Sequence, residues 1–102
     1  MQTTIDNIRE WAKERNLIEG SDPKSQMCKL MEEVGELSKA INKSDFPEIS
    51  DGIGDCVVVL TILAAQYGIL FEDCVDCAYN EIKDRKGRMV NNVFVKESDL
   101  DD

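Results

Sequence analysis

Lys29-Leu30-Met31-Glu32-Glu33-Val34-Gly35-Glu36-Leu37 sets three carboxylates within five residues. Around them Met27, Leu30, Met31, Val34, Leu37 and Ile41 recur at three- and four-residue steps, the period of an amphipathic helix, and form its expected buried stripe. On that helix Glu32 and Glu36 are four apart and Glu33 and Glu36 three apart, so the side chains can reach a shared point. At about 100° per residue the glutamates span an arc of about 100°, with Glu33 nearest the core. Like charges this close repel, and a cation would reverse the sign of that interaction. The alternative is a solvated helix face.

Working outward, the spacing predicts four helices. Thr3 or Thr4 caps a first helix running to about Asn16, with Ile5, Ile8, Trp11 and Ala12 on its apolar face. Ser21-Asp22-Pro23 restarts the chain with a capping side chain and a proline at the first helical position, and the glutamate helix runs from about 23 to 42. Asn42-Lys43-Ser44-Asp45 is short enough to make its neighbours antiparallel. A third helix follows, capped by Ser44 or Asp45, with Pro47 in its first turn and Gly68 as its stop. Its second half is apolar on nearly all sides, which predicts a subunit interface there. A fourth helix is expected from about Phe71 to Lys86, and Asn91-Asn92 between short apolar pairs suggests a small hairpin turn.

The whole is read as all-α and as one domain, a core of about 5–88 with an extended tail over 89–102. A chain of 102 residues suits one compact unit, and help from a second copy is expected. A net charge of −9 argues against wrapping duplex nucleic acid, which needs a basic surface. The longest apolar run, Cys56 to Ala65, is ten residues, too short to cross a bilayer, so no membrane partner is expected. The first residues lack a basic-then-apolar signal pattern, so the chain is read as cytoplasmic with reduced thiols. Cys74-Val-Asp-Cys77 resembles half a zinc site, but no second such pair and no histidine exist to complete it.

Asp51 and Asp55 are four apart on the third helix, flanked by Gly52 and Gly54. Glycine inside a helix costs about 1 kcal/mol relative to alanine, so two of them point to close approach by a helix or a ligand. If the second and third helices are antiparallel neighbours, Glu32, Glu33, Glu36, Asp51 and Asp55 converge. An all-oxygen set of that kind suits Mg²⁺ or Mn²⁺. A di-iron carboxylate bundle would need Glu-x-x-His ligands, which are absent. Asn80, Lys83, Arg85, Lys86 and Arg88 make a basic, amide-bearing stretch suited either to the helix dipole or to phosphate oxygens. Asn80 and Lys83, three apart, are expected to act together, with Arg85 pointing elsewhere.

Glu33-Val-Gly-Glu36 followed by Asp51-Gly-Ile-Gly-Asp55, with Trp11-Ala12, Arg15 and Ala78-Tyr79-Asn80-Glu81-Ile82-Lys83, resembles the MazG-like nucleoside triphosphate pyrophosphohydrolases. These belong to the all-α NTP pyrophosphatase superfamily, which includes dimeric dUTPases and dCTPases. The resemblance covers about residues 5 to 96. It implies a four-helix bundle completed by oligomerisation as a homodimer or tetramer. It also implies Mg²⁺-dependent hydrolysis of a nucleoside triphosphate between its α- and β-phosphates. The family pattern is ExxE, a spacer, then ExxD. Glu33, Glu36 and Asp55 match it, whereas Gly52 stands where an acid is expected and Asp51 offers the nearest carboxylate. By that resemblance Glu33, Glu36, Asp51 and Asp55 hold metal, Glu32 or Glu33 activates water, and Lys83 and Arg88 steady the pyrophosphate. Trp11 stacks on a nucleobase or, the commoner fate of a lone tryptophan on an apolar stripe, fills the core. Lys29 contacts phosphate or pairs with Glu33. The competing reading is an inactive oligomerisation or partner-binding module of the same fold, for which Gly52 is the best support.

Overall fold

A computed structural model describes residues 2–100. In chain order they form α1 (Thr4–Glu14), α2 (Pro23–Asn42), α3 (Phe46–Gln66), α4 (Phe71–Ile82), β1 (Gly87–Val90), β2 (Val93–Lys96) and a 3₁₀ turn (Glu97–Asp99). They divide between Glu72 and Asp73 into two compact units.

The first unit is held by caps that the sequence announces. Thr3 accepts from the Asp6 N–H while Asp6 reaches back to the Thr3 N–H, a reciprocal cap on α1. Asp22 caps α2 by accepting from the Ser25 N–H at 2.8 Å, with Pro23 at the first helical position. Asp45 caps α3 through the Glu48 N–H. Gly68 ends the segment in the left-handed region at φ 72°, where a side chain would be strained.

α2 and α3 pack against each other, and α1 packs on α3. Leu37 lies against Gly52, and Glu33 lies against Asp55. These pairings run in opposite directions along the two helices, so the helices are antiparallel. The closest approach is at Gly52, where an added Cβ would stand 3.2 Å from Leu37 Cδ1. The core is made of small and medium side chains: Ala12, Ala40, Val59, Ile62 and Ala64. Thr61 is fully buried among them, and its hydroxyl is satisfied by donating to the Val57 carbonyl at 2.7 Å.

The stripe expected to be buried on α2 is shifted. Gln26, Glu33 and Ala40 are buried and Leu30 and Leu37 half-buried, whereas Met27, Met31, Val34 and Ile41 are exposed. The apolar pattern spans two adjacent rows of the helix, and contact with Gly52 turns the Leu37 row toward α3. The second half of α3 is largely covered by its own chain, with Val59, Thr61, Ile62 and Ala64 all buried.

In the second unit, α4 stops at Ile82 rather than near Lys86. The expected extended tail is a two-stranded antiparallel hairpin that starts at Gly87, so the fold is four helices with a small sheet. Val90 pairs with Val93 across Asn91 and Asn92, whose φ angles of 50° and 69° are those of a type I′ turn. Asp101 and Asp102 of the acidic end lie outside the described residues.

Candidate functional site

The acidic site is built where α2 and α3 face each other one turn from Gly52. Glu33 is the most buried acid there, at 7% exposure, as its place beside the core row predicts. Its Oε1 lies 3.3 Å from Lys29 Nζ, and its Oε2 is buried with no hydrogen-bond partner. Asp55 comes across from α3 to lie beside Glu33. Burial pushes the Asp55 carboxyl above the usual aspartate range, and the charges of Asp51, Glu33 and Glu36 add to that shift. Three of the other four predicted carboxylates therefore act on Asp55, two of them from across the helix pair. Glu32 lies on the outer side of this set, exposed, with its Oε2 3.7 Å from Lys29 Nζ.

Lys29 is the cation inside this arrangement. Glu33, then Glu32 and more weakly Glu36, hold its ammonium above the ordinary lysine range. Of the two roles read from sequence, pairing with Glu33 is the one the geometry contains.

Among the described residues, no three metal-ligating side chains are drawn close enough to enclose an ion. The donor set nonetheless fits a hard divalent cation. It is all carboxylate oxygen, and Glu33 Oε2 is a buried acceptor that no donor satisfies.

Two concavities flank these acids within the first unit. One, of about 420 Å³, is lined by Thr4, Asn7, Ile8, Trp11, Asp55 and Val58. Trp11 is 44% exposed, so it forms a wall there instead of filling the core. The Arg15 guanidinium stacks over its ring at 4.6 Å. The other concavity, of about 430 Å³, joins Glu36 to Lys39 and Lys43. These lysines, three and seven residues beyond Glu36, escaped the reading of the sequence. Their helical spacing from a candidate ligand was the available signal. The Arg9 guanidinium meanwhile grips both Asp6 and Glu72 within the first unit.

The second unit carries the remaining candidates. Asn80 and Arg85 line a concavity of about 620 Å³ with Lys86 and Lys96, and Lys83 is not among its lining residues. The expectation that Arg85 points away from Asn80 is thus corrected. α4 ends at Ile82, with the Lys83 N–H still donating to the Tyr79 carbonyl at 2.9 Å, so the helical period stops governing the chain only beyond Lys83. Arg88 stands on β1 opposite Val95.

The family described as the MazG nucleotide pyrophosphohydrolase domain matches residues 21–90, which include α2, α3, both acid pairs and Lys29. This chain belongs to the MazG family. A relative from Haemophilus phage HP1, described as an uncharacterized 18.2 kDa protein in the rep-hol intergenic region, is 52% identical over 66 residues. That stretch is 65% of this MazG chain and 40% of the phage protein, so the chain spans less than half of that relative's length. No solved structure gives a significant match. No single helix among the described residues is long and apolar enough to cross a membrane.

Proposed function

We propose that this MazG-family chain hydrolyses a nucleoside triphosphate, NTP or dNTP, to the monophosphate and pyrophosphate with Mg²⁺ or Mn²⁺. The observation that carries the reading is the Glu33 carboxylate, buried with one oxygen unsatisfied and set against a second carboxylate, Asp55. Lys29 pairs with one Glu33 oxygen only, and burying the other without a donor is costly.

Glu33, Glu36, Asp51 and Asp55 are the residues that would hold the metal. A bound divalent ion supplies Lewis-acid polarisation of phosphate oxygens and a more acidic water. Glu32, exposed at the edge of the set, or Glu33 itself, orients that water or takes its proton as it attacks the α-phosphorus. The bond to the β-phosphate oxygen then breaks and pyrophosphate leaves. The indole of Trp11 offers a stacking surface for the base, with Thr4 and Asn7 as hydrogen-bonding neighbours in the same concavity. Lys39 and Lys43 lie on the Glu36 side, suited to phosphate oxygens. Lys29, Asn80, Lys83 and Arg88 complete the proposed phosphate donors.

A homodimer or tetramer is part of this proposal. Met27, Met31, Val34 and Ile41 form an apolar row on α2 that the first unit leaves exposed, and a second copy would cover it. We read the protein as cytoplasmic, and its acidic charge disfavours duplex nucleic acid. Incubation with a panel of NTPs and dNTPs plus Mg²⁺ tests the activity. Release of monophosphate and pyrophosphate from at least one is expected, and none from any would refute it.

One observation favours a second reading, an inactive oligomerisation or partner-binding module. Position 52, where the family pattern has an acid, is packed against Leu37, and even an added Cβ there would stand 3.2 Å from its Cδ1. Calorimetry with Mn²⁺ and a non-hydrolysable nucleotide separates the two, because the module reading predicts no tight binding of either.

A further inference from the structure

We propose that Lys29 is a resident counter-cation of the acidic site. A divalent ion displaces it from Glu33, and it then becomes a donor to the substrate's phosphates. The inference rests on the pyrophosphohydrolase reading above and assigns one residue two successive partners.

The contact between Lys29 and Glu33 is lopsided. The Glu33 side chain is 9% exposed and held between two helices, while that of Lys29 is 54% exposed. The carboxylate is therefore the fixed partner and the lysine the movable one, a compact charge on a flexible four-carbon stem. Lys29 engages Oε1 of Glu33 at 3.3 Å and the outer acid Glu32 at 3.7 Å, and leaves Glu33 Oε2 unsatisfied. A half-exposed ion pair holds its partners weakly. A doubly charged ion touching Glu33 and Asp55 together gains more from the same carboxylate than one ammonium does. Once Glu33 serves the ion, the ammonium loses its nearest acceptor but stays beside the site, because its stem is rooted one turn away on α2. Its three donors and its charge are then offered to whatever anion the ion carries.

Two partners competing for one lysine give opposite signs when the lysine is removed. In Lys29→Met, Mn²⁺ without nucleotide should bind about three- to tenfold tighter, since the ion no longer displaces an ammonium. A non-hydrolysable nucleoside triphosphate at saturating Mn²⁺ should bind about tenfold more weakly, since a charged phosphate donor is gone. Lys29→Gln should repeat both shifts, and Lys29→Arg should return both toward wild type. Calorimetry reads both affinities on the full chain, and circular dichroism confirms that each variant remains helical.

Weaker binding of both ligands would mean that Lys29 only shapes the site. Unchanged Mn²⁺ affinity with weaker nucleotide binding would mean a plain phosphate contact. Unchanged affinity for both would mean a surface pair. Each of these overturns the exchange while leaving the pyrophosphohydrolase reading in place. A wild-type chain that binds no Mn²⁺ and hydrolyses no nucleotide removes that reading and this inference with it.

Discussion

Gly52→Ala and Gly54→Ala add the same methyl group two residues apart on α3 and should have opposite effects. At position 52 the new Cβ would lie 3.2 Å from Leu37 Cδ1, 3.3 Å from its Cβ and 3.4 Å from its Cα. Carbon atoms pack best about 3.5–4.0 Å apart, so the overlap is a few tenths of an ångström. The Cδ1 methyl can rotate away, but Cβ and Cα move only with the backbone of α2. Relief therefore means spreading the two helices. Overpacking of this kind costs about 1–3 kcal/mol, and alanine returns about 1 kcal/mol of helix propensity. Gly52→Ala should lose about 0–2 kcal/mol. At position 54 the new methyl meets nothing within 4 Å. Gly54→Ala should keep the full propensity gain of about 1 kcal/mol. The two variants should therefore differ by about 1–3 kcal/mol. Urea unfolding at one fixed protein concentration measures this, because association would make stability concentration-dependent. Equal stabilisation by both would show that Leu37 does not set the spacing of α2 and α3. Loss of stability in Gly54→Ala would show a second copy or a ligand lying over that glycine.

Glu36→Gln and Asp55→Asn should each cut monophosphate release by about 100-fold or more, with the helical signal kept; wild-type rates in both would remove these acids from the chemistry. Hydrogen bonds from Thr3, with a lesser one from Arg9, hold the Asp6 carboxyl below its usual value of 3.8, and the hydrogen bond from Arg9 chiefly holds that of Glu72 below 4.5. A lowered carboxyl stabilises the fold above its unfolded pKa and loses that effect as pH falls through the folded one. The melting temperature of Arg9→Met should therefore lie below wild type at pH 7, with the gap closing in acid below about pH 4. A gap that stays constant from pH 7 to pH 3 would contradict this. Asn92→Gly should steady the hairpin by about 0.5–1 kcal/mol, because glycine takes the φ of 69° without strain. Slower amide exchange in β1 and β2 would show it, and faster exchange would count against the turn assignment.

Local chemistry made much of this fold legible. Thr3, Asp22 and Asp45 cap helices by mechanisms that need only a side-chain oxygen and the next turn's N–H groups. Asn91-Asn92 announces a turn because asparagine tolerates positive φ. The place of Glu33 beside the core followed from helical angle alone. What the sequence did not disclose depends on contacts between elements. Met27, Met31, Val34 and Ile41 share the period of the core row, and only the approach of Gly52 to Leu37 decides which row faces α3. Trp11 sits on an apolar stripe, yet its ring ends in a concavity because small residues such as Ala12 make the packed contact. Arg85 lies beyond the end of α4 at Ile82, where the helical period no longer places it. Lys39 and Lys43 read as ordinary surface charges until the start of α3 closes one side of their concavity.

The exposed methionine row and the row bearing Glu33 are neighbours on a single rod, α2. Whatever grips Met31 and Val34 from outside also fixes the azimuth of that rod about its own axis, and so the aim of its carboxylates toward Asp55. A change made only at the outer row, far from any acid, would be felt as a rotation of the inner one.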